Sequence, residues 1–199
     1  MLLAFDQSGN MDQDYIDALI PYLPDQFDAH LSPGLEERFS DKCRIHRNED
    51  HYKMLLQDPS SLDISGLEKA SKLKDDDLPA MRELYDLSYP DNSFDPRMLL
   101  SGMYFGYQEG NQLVSIGGIH VYSRKYKVAA LGNITTQPDF RNRGLGRLIT
   151  ARICQELSKD VDFIGLNVKA DNQAAIHLYQ SLGFRISSPY GEFSFKKWP

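Results

Sequence analysis

The sequence predicts a layered α/β domain built on a mixed sheet, preceded by a shorter N-terminal α/β extension. Three observations point to this class. From residue 67 onward, strand-like and helix-like stretches follow one another in the order β-α-α-β-β-β-α-β-α-β-β. Three of the strand-like stretches, 103–107, 113–122 and 128–136, are joined by short polar turns, which suits antiparallel pairing. The strand 128–136, the helix after it and the strand 163–168 form a strand-helix-strand unit, which favours parallel pairing through a crossover helix. Helices between strands call for layered packing against the sheet.

In chain order, residues 12–23 carry Tyr15, Ile16, Leu19, Ile20 and Leu23 at the spacing of an amphipathic helix, with Asn10 or Asp12 as its cap. Pro21 breaks its last turn and Pro24 stops it. Residues 25–59 carry weaker signals, an alternation at Cys43 and Ile45 and an apolar run at Met54 to Leu56, which read as one or two strands and a short helix. The turn-rich stretch from Gln57 to Asp63 is the expected boundary between an extension, 1–62, and the main domain, 63–199.

A strand is expected at Leu67 to Leu73, then a helix from about Asp77 that turns Leu78, Met81, Leu84, Tyr85 and Leu87 inward, with Pro79 in its first turn. Ser88 to Phe94 is a loop by composition, and Asp95-Pro96 starts a short helix through Met98, Leu99 and Leu100. The hairpin of 103–107 and 113–122 turns at Gln108 to Gln112. Gly117-Gly118 in its second strand marks a bulge or a close approach of backbone, and Gly132 in the strand 128–136 marks another close approach.

The stretch from Leu131 to Leu157 holds the strongest local signal. Strand 128–136 gives way to a turn at Gln137, Pro138 and Asp139, and then Arg141, Arg143-Gly144 and Gly146-Arg147 open a helix with Leu145, Leu148, Ile149, Ile153 and Leu157 on one face. The first turn of such a helix has unpaired N–H groups, and the peptide dipoles add about half a positive charge there. Phosphate suits that position, and the arginines add forked donors for its oxygens. After the buried strand 163–168 comes a last helix, about 173–182, capped by Asn172 and ended by Gly183, and Phe193 to Trp198 alternates as a closing strand.

The composition is that of an ordinary globular chain of 199 residues, 41% hydrophobic and 25% charged. No apolar run approaches the roughly 18 residues that span a bilayer, and the N-terminus has no basic flank, so neither a membrane anchor nor a signal peptide is expected. Cytoplasmic residence is the default. Cys43 and Cys154 lack metal spacing and read as reduced packing residues, so no metal cofactor is expected. The net charge of −6 argues against nucleic acid as a partner and suits a cationic substrate.

The pattern Arg141-x-x-Gly144-x-Gly146 at a strand-to-helix junction resembles the acyl-CoA pyrophosphate loop of the GCN5-related N-acetyltransferase (GNAT) superfamily. Downstream, Ile164-Gly-Leu-Asn-Val168 followed by Asn172, Ala175, Leu178-Tyr179 and Leu182-Gly183-Phe184 is similar to the series that closes the same superfamily's core. The resemblance covers about 67–198. It implies a mostly antiparallel central sheet with helices on both faces, in which the fourth and fifth strands splay apart to admit acyl-CoA. It also implies acetyl-CoA or another acyl-CoA as co-substrate and a primary amine as acceptor, with direct transfer between them by a monomer or homodimer. Some members carry a degenerate second copy of the fold, and 1–62 is about half the length needed.

On that resemblance the diphosphate lies on backbone between Arg143 and Arg147, which brings in Arg141, Gly144, Leu145 and Gly146, while Ile134, Thr135 and Thr136 pair with the pantetheine amides. Plain β propensity explains the two threonines equally well. Asn172 is read as a helix cap that can also face the cofactor. Tyr179 is either a core aromatic or the group that protonates the departing thiolate. For the base, His120 faces opposite its neighbours Ile119 and Val121, and Glu192 is the alternative. The loop from Ser88 to Phe94 makes Tyr89 and Asn92 acceptor-side candidates. A nucleotide-binding module is the first rival, but the Gly-Lys-Ser/Thr ending is absent and Ile149 stands where a dinucleotide loop wants its third glycine. A non-catalytic acyl-CoA-binding protein is the second.

Overall fold

The computed structural model describes residues 1–5, 13–62 and 65–198. In chain order its elements are β1 (Leu2–Ala4), α1 (Gln13–Leu19), β2 (Gln26–Leu31), β3 (Cys43–Leu56), β4 (Ser71–Lys72), α2 (Leu78–Ser88), β5 (Phe105–Glu109), β6 (Gln112–Ser123), β7 (Val128–Thr136), α3 (Leu145–Leu157), β8 (Phe163–Lys169), α4 (Gln173–Ser181) and β9 (Phe184–Lys197). Two compact units share the chain. The first comprises Met1–Met54, Val168–Gln173 and Ile186–Pro199, and the second Leu55–Asn167 and Ala174–Arg185. The expected boundary near residue 62 thus stands beside an observed division at 54/55, and the first unit also takes two later segments.

In the second unit the strand order is β8-β7-β6-β5-β4. Pairings from β4 to β7 are antiparallel, and β7 runs parallel to β8 with α3 as the crossover. Sequence alternation sets the two faces. On one, Met81, Leu84 and Tyr85 of α2 join Tyr104, Leu113 and Ile116 in a single apolar cluster. On the other, Gly117 makes room for Ile149 and Ile153 of α3, since a Cβ there would meet each at about 2.9 and 3.2 Å. Helices therefore cover both faces, as expected. A one-residue shift in the β6/β7 register sits where Gly118 pairs with Gly132 but Ile116 with Thr135, which puts the extra residue on β7. Asn133 lies in that bulge with φ 54°.

In the first unit the order is β1-β2-β9-β3, with β1 parallel to β2 and β2 antiparallel to β9. Phe27, Ala29 and Leu31 of β2 and Phe193 and Phe195 of β9 face Ile16, Ile20, Leu35 and Phe39 across one core. Phe27 stacks on Phe195 at 4.9 Å.

Several local expectations change. Residues 67–73 form a 3-10 turn, Leu67–Lys69, and only the two-residue β4. The buried residues there are Leu67, Ala70 and Leu73, a spacing of three that belongs to a turn and not to a strand. The last apolar residues of two helices miss the core: Leu87 of α2 and Leu100 of the 3-10 turn Pro96–Ser101 are exposed. Residues 43–56 are one long strand, and 184–197 another. Helix α1 ends at Leu19 and continues as a 3-10 turn around Pro21, while its proposed caps Asn10 and Asp12 lie outside the described residues. Both cysteines are free and buried, and burial pushes the Cys154 thiol up to about 12.

Candidate active site

Strand β7 pairs with β8 only from Val128 to Leu131, opposite Phe163 to Leu166. Gly132 to Thr136 continue as strand with β6 on one side and, among the described residues, no further β8 partner. The Asn133 bulge bends β7 at that point. A polar network holds the bend: the Tyr85 hydroxyl donates to the Asn133 carbonyl at 2.9 Å, the Asn133 amide donates to the Tyr104 hydroxyl at 3.0 Å, and Ser93 N–H donates to Asn133 Oδ1 at 3.2 Å. None of these residues was a site candidate from sequence. An asparagine inside a run of β-formers was the available signal, because asparagine is one of the few residues besides glycine that accept positive φ.

The threonine side chains are engaged inside the fold. Thr135 Oγ1 donates toward Ser88 Oγ at 3.2 Å, and Thr136 Oγ1 shares a hydrogen bond with Ser115 Oγ at 2.8 Å. What Ile134, Thr135 and Thr136 can offer a ligand is therefore backbone, and the Ile134 side chain packs beside Gly117 on the α3 face.

At the end of β7 the chain turns through Pro138–Phe140 and reaches Gly144, the N-cap of α3. Gly144 has φ 79°, and no described atom lies within 4 Å of where its Cβ would stand. Its need for glycine is conformational, and the space before it is open. Gly146 has a different reason: its Cβ would come 3.1 Å from Leu178, so it permits close packing of α3 on α4. No side chain caps α3 and no acidic residue lies in its first turn. Arg141 Nε donates to the Thr136 carbonyl at 3.1 Å, and Arg143 donates to the Asp139 carbonyl at 3.3 Å with its guanidinium 4.8 Å from the Phe140 ring. These arginines brace the loop and retain other donors, because a guanidinium carries five N–H groups. Leu145 is half-buried and Arg147 exposed at the helix start. The arrangement fits a diphosphate: open space beside Gly144, a helix start without a side-chain cap or an acid in its first turn, and arginines on either side of it.

Tyr179 lies on α4, with its ring edge-on to Phe184 at 5.9 Å. Burial, then the neighbouring Tyr89 and Cys154, hold its hydroxyl well above the ordinary phenol value. Tyr89 is half-exposed at the C-cap of α2, so one acceptor-side candidate falls within electrostatic reach of Tyr179. Asn92 is spent on its own loop: its amide donates to the Tyr89 carbonyl at 2.7 Å and its Oδ1 accepts from Phe94 N–H at 2.9 Å. His120 is exposed on β6, and its ring fills the space over Gly132, where a Cβ would stand 1.6 Å from it. Val121 is exposed beside it, because the β6 register shifts by one residue between Ile119 and Val121. Asn172 and Glu192 belong to the first unit. Asn172 directly precedes α4, and Glu192 faces two imidazoles, His30 at 3.3 Å and His51 at 3.6 Å.

Comparison with known proteins agrees with this geometry. The model of the acetyltransferase (GNAT) family matches residues 69–184. The [ribosomal protein bS18]-alanine N-acetyltransferase of Salmonella typhimurium is 49% identical over 57 residues, a match that spans 28% of this chain but only 38% of that protein. The N-alpha-acetyltransferase RimI of Mycobacterium tuberculosis is 32% identical over 142 residues, covering 66% of this chain and 83% of its own length. Among solved structures, a GNAT-family protein from Novosphingobium aromaticivorans superposes with a TM-score of 0.67 at 21% identity, over 92% of this chain and 80% of that one, which speaks to fold alone. With the parted strands β7 and β8 and the arginine-glycine start of α3 both inside the matched region, the chain belongs to the GNAT acetyltransferase family.

Proposed function

We propose that the chain is an N-acetyltransferase that takes the acetyl group of acetyl-CoA and passes it directly to a primary amine. The observation that carries this reading is the edge of β7 from Gly132 to Thr136, left without a β8 partner and leading into the uncapped N-terminus of α3. Acetyl-CoA supplies an activated thioester; the rest is done by the chain. First-turn N–H groups of α3, with Arg141, Arg143 and Arg147, hold the diphosphate. Backbone of Ile134 to Thr136 aligns the pantetheine amides, as an added strand would be aligned. A backbone N–H at the bulge polarises the acyl carbonyl.

Tyr179 keeps its proton at all ordinary pH because burial raises its hydroxyl, and it gives that proton to the departing sulfur. The same burial makes it a weaker acid, but a thiolate released beside it is desolvated too and becomes correspondingly more basic. His120 is preferred as the base, since the Glu192 oxygen is shared between His30 and His51. The names of the relatives favour a peptide α-amine as acceptor, and the net charge of −6 suits a cationic one. Two free, buried thiols fit the cytoplasm, and a monomer or homodimer would serve.

Tyr179→Phe keeps the ring and removes the proton. Its kcat is expected to fall on the order of 10²-fold or more, with acetyl-CoA affinity nearly unchanged. A kcat within about threefold of the parent, with chemistry rate-limiting, would reduce Tyr179 to a packing residue. Residues 1–62 are read as an extension and partial copy of the fold, whose β2 pairs along β9 from Lys196 to Gly191. A chain beginning at residue 63 would bare that edge together with Phe193 and Phe195, so it is expected to aggregate; a monodisperse truncation would make the extension dispensable.

A further inference from the structure

The polar face of the first unit's sheet holds a cluster that the proposed transfer leaves unused. His30 of β2 stands directly across from Glu192 of β9, and Glu49 and His51 project from β3. Glu192 Oε1 lies 3.3 Å from His30 Nε2 and 3.6 Å from His51 Nδ1, and Glu49 Oε2 lies 3.8 Å from His51 Nε2. His51 is only 9% exposed, yet its Nδ1 is buried with no hydrogen-bond partner among the described residues. A buried polar atom without a partner is a vacancy in the bonding of the fold and calls for an explanation. The ring of Tyr190 lies against both imidazoles, at 5.4 Å from His30 and 5.1 Å from His51, and fixes their planes.

We propose that Glu49, His51 and Glu192 bind one divalent transition-metal ion, with Zn²⁺ the best match. One donor atom from each lies within 4.8 Å of the other two. Donors about 2.1 Å from a tetrahedral ion stand about 3.4 Å from one another. The 3.6 Å between His51 Nδ1 and Glu192 Oε1 already fits, and the half-exposed Glu49 side chain, now nearer His51 Nε2, has to turn toward that pair to complete the set. An imidazole with two carboxylates suits zinc better than the all-oxygen preference of magnesium or calcium. The surroundings are those of a ligand set held from outside. Lys169 pairs with Glu49 Oε1 and leaves Oε2 turned to His51, while His30 Nε2 lies 3.3 Å from the same Glu192 oxygen that faces His51. Carboxylate ligands steadied in this way are a common feature of metal sites. The ion would tie β3 to β9 inside the first unit, and a fourth position would go to water. A Glu192 so engaged is not available as a general base.

The test uses the full-length chain after treatment with a chelator. Calorimetric titration with Zn²⁺ is expected to saturate at one ion per chain, and Co²⁺ in its place is expected to give the visible absorption of a tetrahedral site. Glu49→Gln and Glu192→Gln should each weaken Zn²⁺ binding by more than tenfold with an unchanged circular dichroism spectrum. His51→Ala should abolish binding, but truncating a buried imidazole can cost the fold, so the two carboxylate variants decide. Absence of saturable binding by the parent would overturn the proposal. So would parent-like affinity in both carboxylate variants, which would move the ion to an exposed imidazole such as His46 or His177.

Discussion

Four helical segments of the second unit begin in two different ways. The 3-10 turn Pro59–Ser61 starts with Asp58 accepting from Ser60 N–H at 2.9 Å, and Pro96–Ser101 starts with Asp95 accepting from Arg97 N–H at 2.8 Å. Helix α2 follows Asp75, Asp76 and Asp77, and Asp77 accepts from Lys74 N–H at 2.7 Å. Each carries its own anion at its positive end. Helix α3 has none: glycine at the cap, no acid in the first turn and arginines on either side. A helix start costs less when a carboxylate answers its unpaired N–H groups. Leaving α3 without one makes sense when the anion comes from outside.

The largest effect should come from giving α3 what the others have. Gly144→Asp places a carboxylate where the diphosphate is proposed to lie and forces a side chain into positive φ. Each charge-assisted phosphate contact is worth roughly 1.5 to 3 kcal/mol, so acetyl-CoA affinity measured by calorimetry should fall more than tenfold. The double change Arg143→Ala, Arg147→Ala should weaken it by about tenfold and flatten its dependence on salt. Unchanged affinity in both variants would remove the diphosphate from this loop. The smallest effect belongs to the opposite experiment, Asp77→Asn at the start of α2. Loss of one charge near a helix N-terminus is expected to cost about 0.3 to 1 kcal/mol in a denaturant melt and leave acetyl-CoA affinity alone. Should Asp77→Asn weaken affinity as much as the arginine pair, the two kinds of helix start would not differ as argued.

What could be read in advance was what is local. The α3 loop announced itself because glycines, arginines and an apolar stripe sit within one short stretch, and the final helix because Asn172 and Gly183 bracket it. Turn chemistry also served at Asp95-Pro96. Residues 67–73 misled because an apolar spacing of three over a few residues looks like a short strand until the turn is seen. The Glu49, His51 and Glu192 cluster could not be read at all. Its members come from β3 and β9, at opposite ends of the chain, and only pairing register brings them together. Asn133 was hidden for a related reason, since its partners are Tyr85 of α2, Ser93 of the loop after it and Tyr104 just before β5.

The glycines of β6 and β7 carry an evolutionary consequence. A methyl group at Gly118 would lie 2.4 Å from the ring of Tyr104, which is fully buried and fastened through its hydroxyl to the Ile119 carbonyl at 3.3 Å and to the Asn133 amide. The ring cannot yield. Any side chain at 118 therefore demands a smaller one at 104, but a smaller one at 104 takes the Tyr104 hydroxyl from the Asn133 amide and leaves a void. Neither order of substitution passes through a sound intermediate, so the two sites are locked by epistasis. Gly132 meets the His120 ring more closely still, yet His120 is exposed and can swing aside. Homologues are expected to vary at 120 and 132 one at a time, and to keep or lose Tyr104 and Gly118 together.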